Sequence, residues 1–126
     1  MSVAAARYPG RAPIDAYGNG GFRFADMSHR GSILCLPSGI YAWAPSMPEE
    51  LEQFAPFESV FVERDALDML LLGTGARHHM TGAELRRAFA DAGIGLETMD
   101  TGAACRTYNV LLAEGRHIGA ALLAVA

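Results

Sequence analysis

"LDMLLLGTGARHH", residues 67–79, decides how the chain is read. Met69–Leu72 is a short apolar run with no polar alternation, the pattern of a strand buried on both faces of a parallel sheet. Gly73-Thr74-Gly75 ends that run, and His78 and His79 follow. A phosphate-cradling loop at a strand end needs glycines that let backbone N–H groups approach a pyrophosphate, with a helix opening directly behind. Here His78 stands where G-x-G-x-x-G requires its third glycine, and no Gly-Lys-Ser/Thr follows. Six residues separate Gly75 from Gly82, too many for either geometry. The loop therefore reads as a tight exit from a buried strand.

Downstream, Thr81 and Glu84 have capping-box spacing, and Leu85, Ala88, Phe89 and Ala92 recur at i, i+3, i+4 and i+7. Gly93 closes this helix, Leu96–Met99 forms a second strand, Thr101–Glu114 a second helix ended by Gly115, and Ile118–Val125 a last strand. The order β-α-β-α-β implies parallel strands joined by right-handed crossovers. Upstream, Ile14–Tyr17 and Phe22–Phe24 flank Gly18-Asn19-Gly20-Gly21, and Ile33–Leu36 and Ile40–Trp43 flank Pro37-Ser38-Gly39. These are two antiparallel hairpins or one meander. Ser46 and Glu49, with Pro48 in the first turn, predict a short helix ending near Phe54. Residues 57–65 read as further helix, although Val60-Phe61-Val62 favours a strand. The fold class is α/β with a mixed sheet.

The chain has 126 residues, 51% of them hydrophobic and 19% charged, which suits one domain with one core. Residues 14–126 are the expected domain and 1–13 a flexible N-terminal tail. No apolar run approaches the roughly 20 residues of a membrane helix. A net charge of -4 without a basic stripe argues against nucleic acid as partner. The first residues hold no apolar core of a secretory signal, so Cys35 and Cys105 are expected as reduced thiols in a cytosol-like compartment.

Chemistry-bearing residues gather at the carboxyl ends of the first two parallel strands. Thr74, Arg77, Asp100, Thr101, Arg106 and Thr107 form a polar cleft there, with Thr101 as helix N-cap and an anion as the natural ligand. The plainer alternative is that Asp100 and Thr101 only cap a helix. Cys105, beside Arg106 in an early helical turn, has the setting of a lowered thiol pKa. On the helical wheel it lies at the edge of a buried face made by Ala104, Tyr108, Leu111 and Leu112, so a packed, inert thiol is expected; Arg106 and Asn109 point outward. His78 and His79 are adjacent, and no third ligand stands at a recognisable spacing, so no metal is expected, nor any cofactor.

Four stretches taken together are specific: "YGNGGFRF" (17–24), "HRGSILCLPSG" (29–39), "LLLGTG" (70–75) and "MDTGAACRTYNVLLAEGR" (99–116). The chain resembles, from Ile14 to Val125, the small α/β family that holds mitochondrial NADH dehydrogenase (complex I) assembly factor 3 and many uncharacterised bacterial and archaeal proteins. The resemblance implies a three-layer fold around a mixed central sheet, with parallel β-α-β-α-β in the C-terminal half and antiparallel hairpins in the N-terminal part. It implies a non-enzymatic protein that helps assemble the peripheral arm of complex I, with no catalytic mechanism to carry over. Gly73, Gly75, Asp100, Thr101, Arg106, Thr107 and Asn109 match the family motif, and with Thr74 they are the candidate cleft residues. The mitochondrial members carry a long presequence that this sequence lacks, so a bacterial cytoplasmic protein, working at the cytoplasmic face of the inner membrane, is expected. Its expected partners are complex I subunits or assembly intermediates, and exposed Val110 is a hint of a contact face. The competing expectations are a small-molecule or anion-binding protein using the cleft, and an enzyme dependent on Cys105.

Overall fold

Strand β6 (Met69–Gly73) takes a parallel partner on each side, which is why its leucines run unbroken. The computed structural model describes residues 7–126. On one side lies β7 (Gly95–Met99), and on the other β8 (Ile118–Leu122). Antiparallel β4 (Ser32–Leu36) continues the sheet beyond β8, and its hairpin partner β5 (Gly39–Trp43) completes the order β5-β4-β8-β6-β7. Three shorter strands, β1 (Ala16–Gly18), β2 (Gly21–Phe24) and β3 (Met27–Arg30), form a separate antiparallel meander. The helices are α1 (Glu58–Val62), α2 (Ala83–Asp91) and α3 (Thr101–Ala113). This is the expected α/β architecture with a mixed five-stranded sheet at its centre.

The period-2 alternation of strand side chains sorts the core into two halves. Ile33, Cys35, Leu71, Ala120 and Leu122 face the layer made by α3 and the meander, where Ala104, Tyr108, Phe22 and Phe24 close over them. Leu34, Leu36, Leu70, Leu72 and Ala121 face α1, α2 and the turns between 48 and 57, packing on Phe57, Val60, Leu85 and Phe89. Strand β8 runs between β4 and β6 with Gly119, Ala120 and Ala121, and at Gly119 no side chain fits: a Cβ there would lie 2.9 Å from the Cys35 carbonyl oxygen.

The first hairpin has the turn its sequence calls for, Asn19 at φ 53° and Gly20 at φ 80°. β3 was not foreseen. Its turn uses Ala25 (φ 49°) and Asp26 (φ 62°), left-handed residues that carry no glycine signal. The turn after Ser46 is a 3-10 helix, Pro48–Glu52, and Glu50 rather than Glu49 reaches back, accepting from the Ser46 and Met47 N–H groups at 3.0 and 3.1 Å. The Thr81–Glu84 box does not form. Gly82 is the N-cap of α2, and the buried Thr81 hydroxyl has no hydrogen-bond partner among the described residues. Residues 57–65 are helical as read, with 3-10 turns on both sides of α1.

Of the expected N-terminal tail, residues 1–6 lie outside the described residues. Residues 7–14 form a strap: Arg7 N–H donates to the Ile40 carbonyl at 2.7 Å, and Ala12 and Ile14 are buried. Asn109 of α3 fastens it. Its Oδ1 accepts from Ile14 N–H and its Nδ2 donates to Ile14 O, both at 2.8 Å, so Asn109 is half-buried rather than outward. Asn109→Ala removes both bonds and is expected to cost about 2 kcal/mol. Urea unfolding checks the stability, and faster tryptic cleavage after Arg11 checks the release of the strap.

Candidate functional site

At the carboxyl end of β6 three chain segments meet on one hydroxyl. Thr101, the first residue of α3, is fully buried. Its Oγ1 donates to the Leu123 carbonyl at 2.8 Å and accepts from Gly75 N–H at 3.0 Å, while its own N–H donates to Gly75 O at 2.8 Å. Leu123 N–H in turn donates to Gly73 O at 3.0 Å. The helix start, the loop after β6 and the chain leaving β8 are thus tied together. Glycine is required at both loop positions. A Cβ on Gly73 would lie 3.0 Å from Thr101 Cα, Thr101 Oγ1 and Leu122 Cδ2, and Gly75 has φ 105°.

Thr74 is equally committed. Its N–H donates to Met99 O at 2.9 Å, its hydroxyl donates to Arg77 O at 2.8 Å, and that hydroxyl accepts from His79 N–H at 3.0 Å. Thr74 thereby folds the turn between β6 and α2 back on itself. Asp100, not Thr101, is the N-cap of α3: its Oδ1 accepts from Ala103 N–H at 2.8 Å. The local reason is that the Thr101 hydroxyl has two tertiary partners and is not free to cap.

Gly73, Thr74, Gly75, Asp100 and Thr101 therefore converge, whereas Arg106, Thr107 and Asn109 lie one to two turns down α3. Arg106 is exposed, with a guanidinium nitrogen 3.4 Å from the Cβ position of Gly102. Gly102 is where the meander rests on α3, since a Cβ there would collide with the Tyr17 hydroxyl. The hydroxyls of Thr74 and Thr101 are taken up by backbone groups, so the cluster supplies a rigid frame, with the Asp100 carboxylate capping α3 beside it. His78 bonds Thr98 Oγ1 through Nε2 at 2.7 Å, and no group of three potential metal ligands occurs among the described residues.

Cys35 and Cys105 are both buried in the α3 half of the core. Burial pushes the Cys105 thiol up to about 12, against the smaller opposing effect of the Arg106 charge, and burial raises Cys35 and Tyr108 as well. A thiol in that range holds no useful thiolate at neutral pH.

A surface that the sequence did not single out lies on the other half. Phe54, 49% exposed, stacks on Phe61 with ring centroids 4.8 Å apart, and Phe61 contacts buried Phe89 at 4.7 Å. Val62 is 79% exposed on α1. Between residues 49 and 68 the chain carries seven acids and one arginine, so these apolar groups lie in an acidic stretch of the chain. The signal was present in "FAPFESVFVE", but its mixed helix and strand character hid which residues face outward.

Two outcomes test the buried frame. Thr101→Val leaves Gly75 N–H and Leu123 C=O without partners and is expected to lower stability by about 3 kcal/mol in urea unfolding. Thr101→Ser keeps the hydroxyl and is expected to cost only about 1 kcal/mol. The raised thiols act through linkage: an unfolded thiol titrates near 8.5, so their contribution is complete below that value and is lost as pH rises towards the folded value of about 12. The thiols' contribution should be flat through neutral pH and fall above about pH 9, by up to about 1.4 kcal/mol per pH unit for each thiol. Cys35→Ala with Cys105→Ala should flatten the first part of that fall, and neither native thiol should react with iodoacetamide at neutral pH.

The match to known proteins covers the same span as the fold. The family described as a protein of unknown function (DUF498/DUF598) matches residues 14–123. An uncharacterized protein of Rhodobacter capsulatus is 38% identical over 116 residues, 92% of this chain and 87% of that protein. The human NADH dehydrogenase (ubiquinone) 1 alpha subcomplex assembly factor 3 is 29% identical over 110 residues, 87% of this chain and 59% of that protein, so the chain spans about three-fifths of its length. A crystal structure described as an outer membrane protein from Bartonella henselae superposes with a TM-score of 0.91 at 52% identity, over 95% of this chain and 100% of that one. With the mixed sheet and these matches in agreement, the chain belongs to the DUF498/DUF598 family.

Proposed function

We propose that this chain is a non-enzymatic assembly or scaffolding factor whose partners are subunits or assembly intermediates of respiratory complex I. The observation that carries the reading is its similarity, over 87% of its residues, to complex I assembly factor 3. The geometry supports it in two ways. The polar atoms at the strand-end cluster are largely engaged in holding the fold, as Thr74 and Thr101 show. Exposed Phe54 and Val62, set among acids, offer the apolar centre and charged surround typical of a partner-binding patch. No described helix is long and apolar enough to cross a membrane, and the proposed place of action is the cytoplasmic face of the inner membrane.

Deleting the gene is expected to reduce fully assembled complex I on native gels, and the tagged protein is expected to co-purify with peripheral-arm subunits over a tag-only control. Wild type should restore assembly, whereas a chain carrying Phe54→Glu and Val62→Glu should not, with its melting temperature within a few degrees of wild type because both side chains are exposed. Normal complex I levels in the deletion strain would sink the assembly reading.

A further inference from the structure

The meander has a second face that nothing above uses. Buried Phe22 and Phe24 turn one side of β2 to the core, so Gly21 and Arg23 turn to the other. The register Ala16↔Arg23↔Ser28 and Gly18↔Gly21↔Arg30 then puts six residues on that outer face: two arginines and four small residues, with no acid among them. Together with neighbouring residues they line a groove of about 460 Å³, within the size range of small-ligand sites.

From this arrangement we infer that the outer face of the meander binds a phosphate group, held between Arg23 and Arg30. The two arginines are diagonal neighbours on adjacent strands, a spacing of about 7 Å that long side chains readily close. A guanidinium presents a planar fork of donors, and a tetrahedral phosphate has enough oxygens to accept two forks at once, which one carboxylate does not. Like charges in diagonal register repel, and no ion pair among the described residues relieves them. The ion pairs among the described residues are Glu114–Arg116 and Asp68–His117, and neither involves this face.

The glycines of the floor have backbone reasons to be there. Gly18 has φ 127°, and a Cβ on Gly21 would collide with the His29 carbonyl. The arginines have none, since exposed strand positions favour β-branched and aromatic residues. His29 also lines the groove, but the register sets it opposite Phe22, on the side turned to the core. The outer face thus carries two arginine charges and no acid among its six residues, although the whole chain carries -4.

The phosphate could belong to a soluble ligand or to a lipid headgroup, and one experiment separates them. Inorganic phosphate is titrated into the full chain by calorimetry at constant ionic strength. In parallel, the chain is sedimented with phosphatidylcholine vesicles that contain or lack phosphatidylglycerol. The groove predicts saturable binding in at least one arm, weakened about tenfold or more by Arg23→Gln or Arg30→Gln singly. The double variant should lose it, and Arg64→Gln, on the acidic half, should leave it unchanged. A response to phosphate alone assigns a soluble ligand, and a response confined to phosphatidylglycerol vesicles assigns a headgroup. No response in either arm, or a double variant that binds like wild type with an unchanged melting temperature, overturns the inference. The assembly reading stands or falls separately, because its test uses neither arginine.

Discussion

One buried hydroxyl organises the carboxyl end of the sheet. Thr101 Oγ1 has a single proton and two lone pairs, and the fold uses both capacities on backbone groups from different segments, Leu123 O and Gly75 N. In a fully buried position no water can substitute for either partner, so the three segments form together or leave polar groups unpaired. Gly73 follows from this. The helix start can approach β6 closely enough for these bonds only where the strand's last residue has no side chain. The bare Gly73 and the polar Thr101, unremarkable separately in sequence, are two halves of one contact.

The rest of the topology builds outward from that contact. The chain leaves β6 over one face, adds β7, and returns along α3 over the other face to insert β8 between β6 and β4. Insertion makes β8 central, and the close pass of β4 at the Cys35 carbonyl leaves no room for a side chain at Gly119. With α3 and the meander on one face and α1 and α2 on the other, every residue of β8 is buried. Asn109 then fixes the outer layer by gripping both backbone groups of Ile14, a bond pattern a strand neighbour would otherwise supply.

Where a signal was local, the sequence carried it well. The apolar run of β6, the Asn19-Gly20 turn and the period of α2 and α3 depend on neighbours a few residues away, and each element formed as read. What stayed hidden depended on distant partners. The turn at Ala25-Asp26 has no composition cue, so β3 went unread. The choice of Asp100 over Thr101 as cap was set by Leu123, 22 residues on, and Asn109 found a partner 95 residues away. For the cluster the same rule holds: adjacency at the strand ends was legible, because parallel strands place their carboxyl ends together. The engagement of each hydroxyl was not, because hydrogen-bond direction is a tertiary property. The aromatic surface at Phe54 was missed for a further reason, since exposure depends on which side of a short helix meets the sheet.

That aromatic surface has an optical consequence. The rings form an unbroken path from solvent inward: Phe54 on Phe61, Phe61 on Phe89, Phe89 on Phe57 at 5.6 Å, and Phe57 edge-on to Trp43 at 5.5 Å. Trp43 is the only tryptophan in the chain, and its indole N–H donates to the Pro56 carbonyl at 2.8 Å, two residues from Phe54. Its emission therefore reports on this side of the molecule and no other. A label-free fluorescence signal is built into the wall behind the exposed ring.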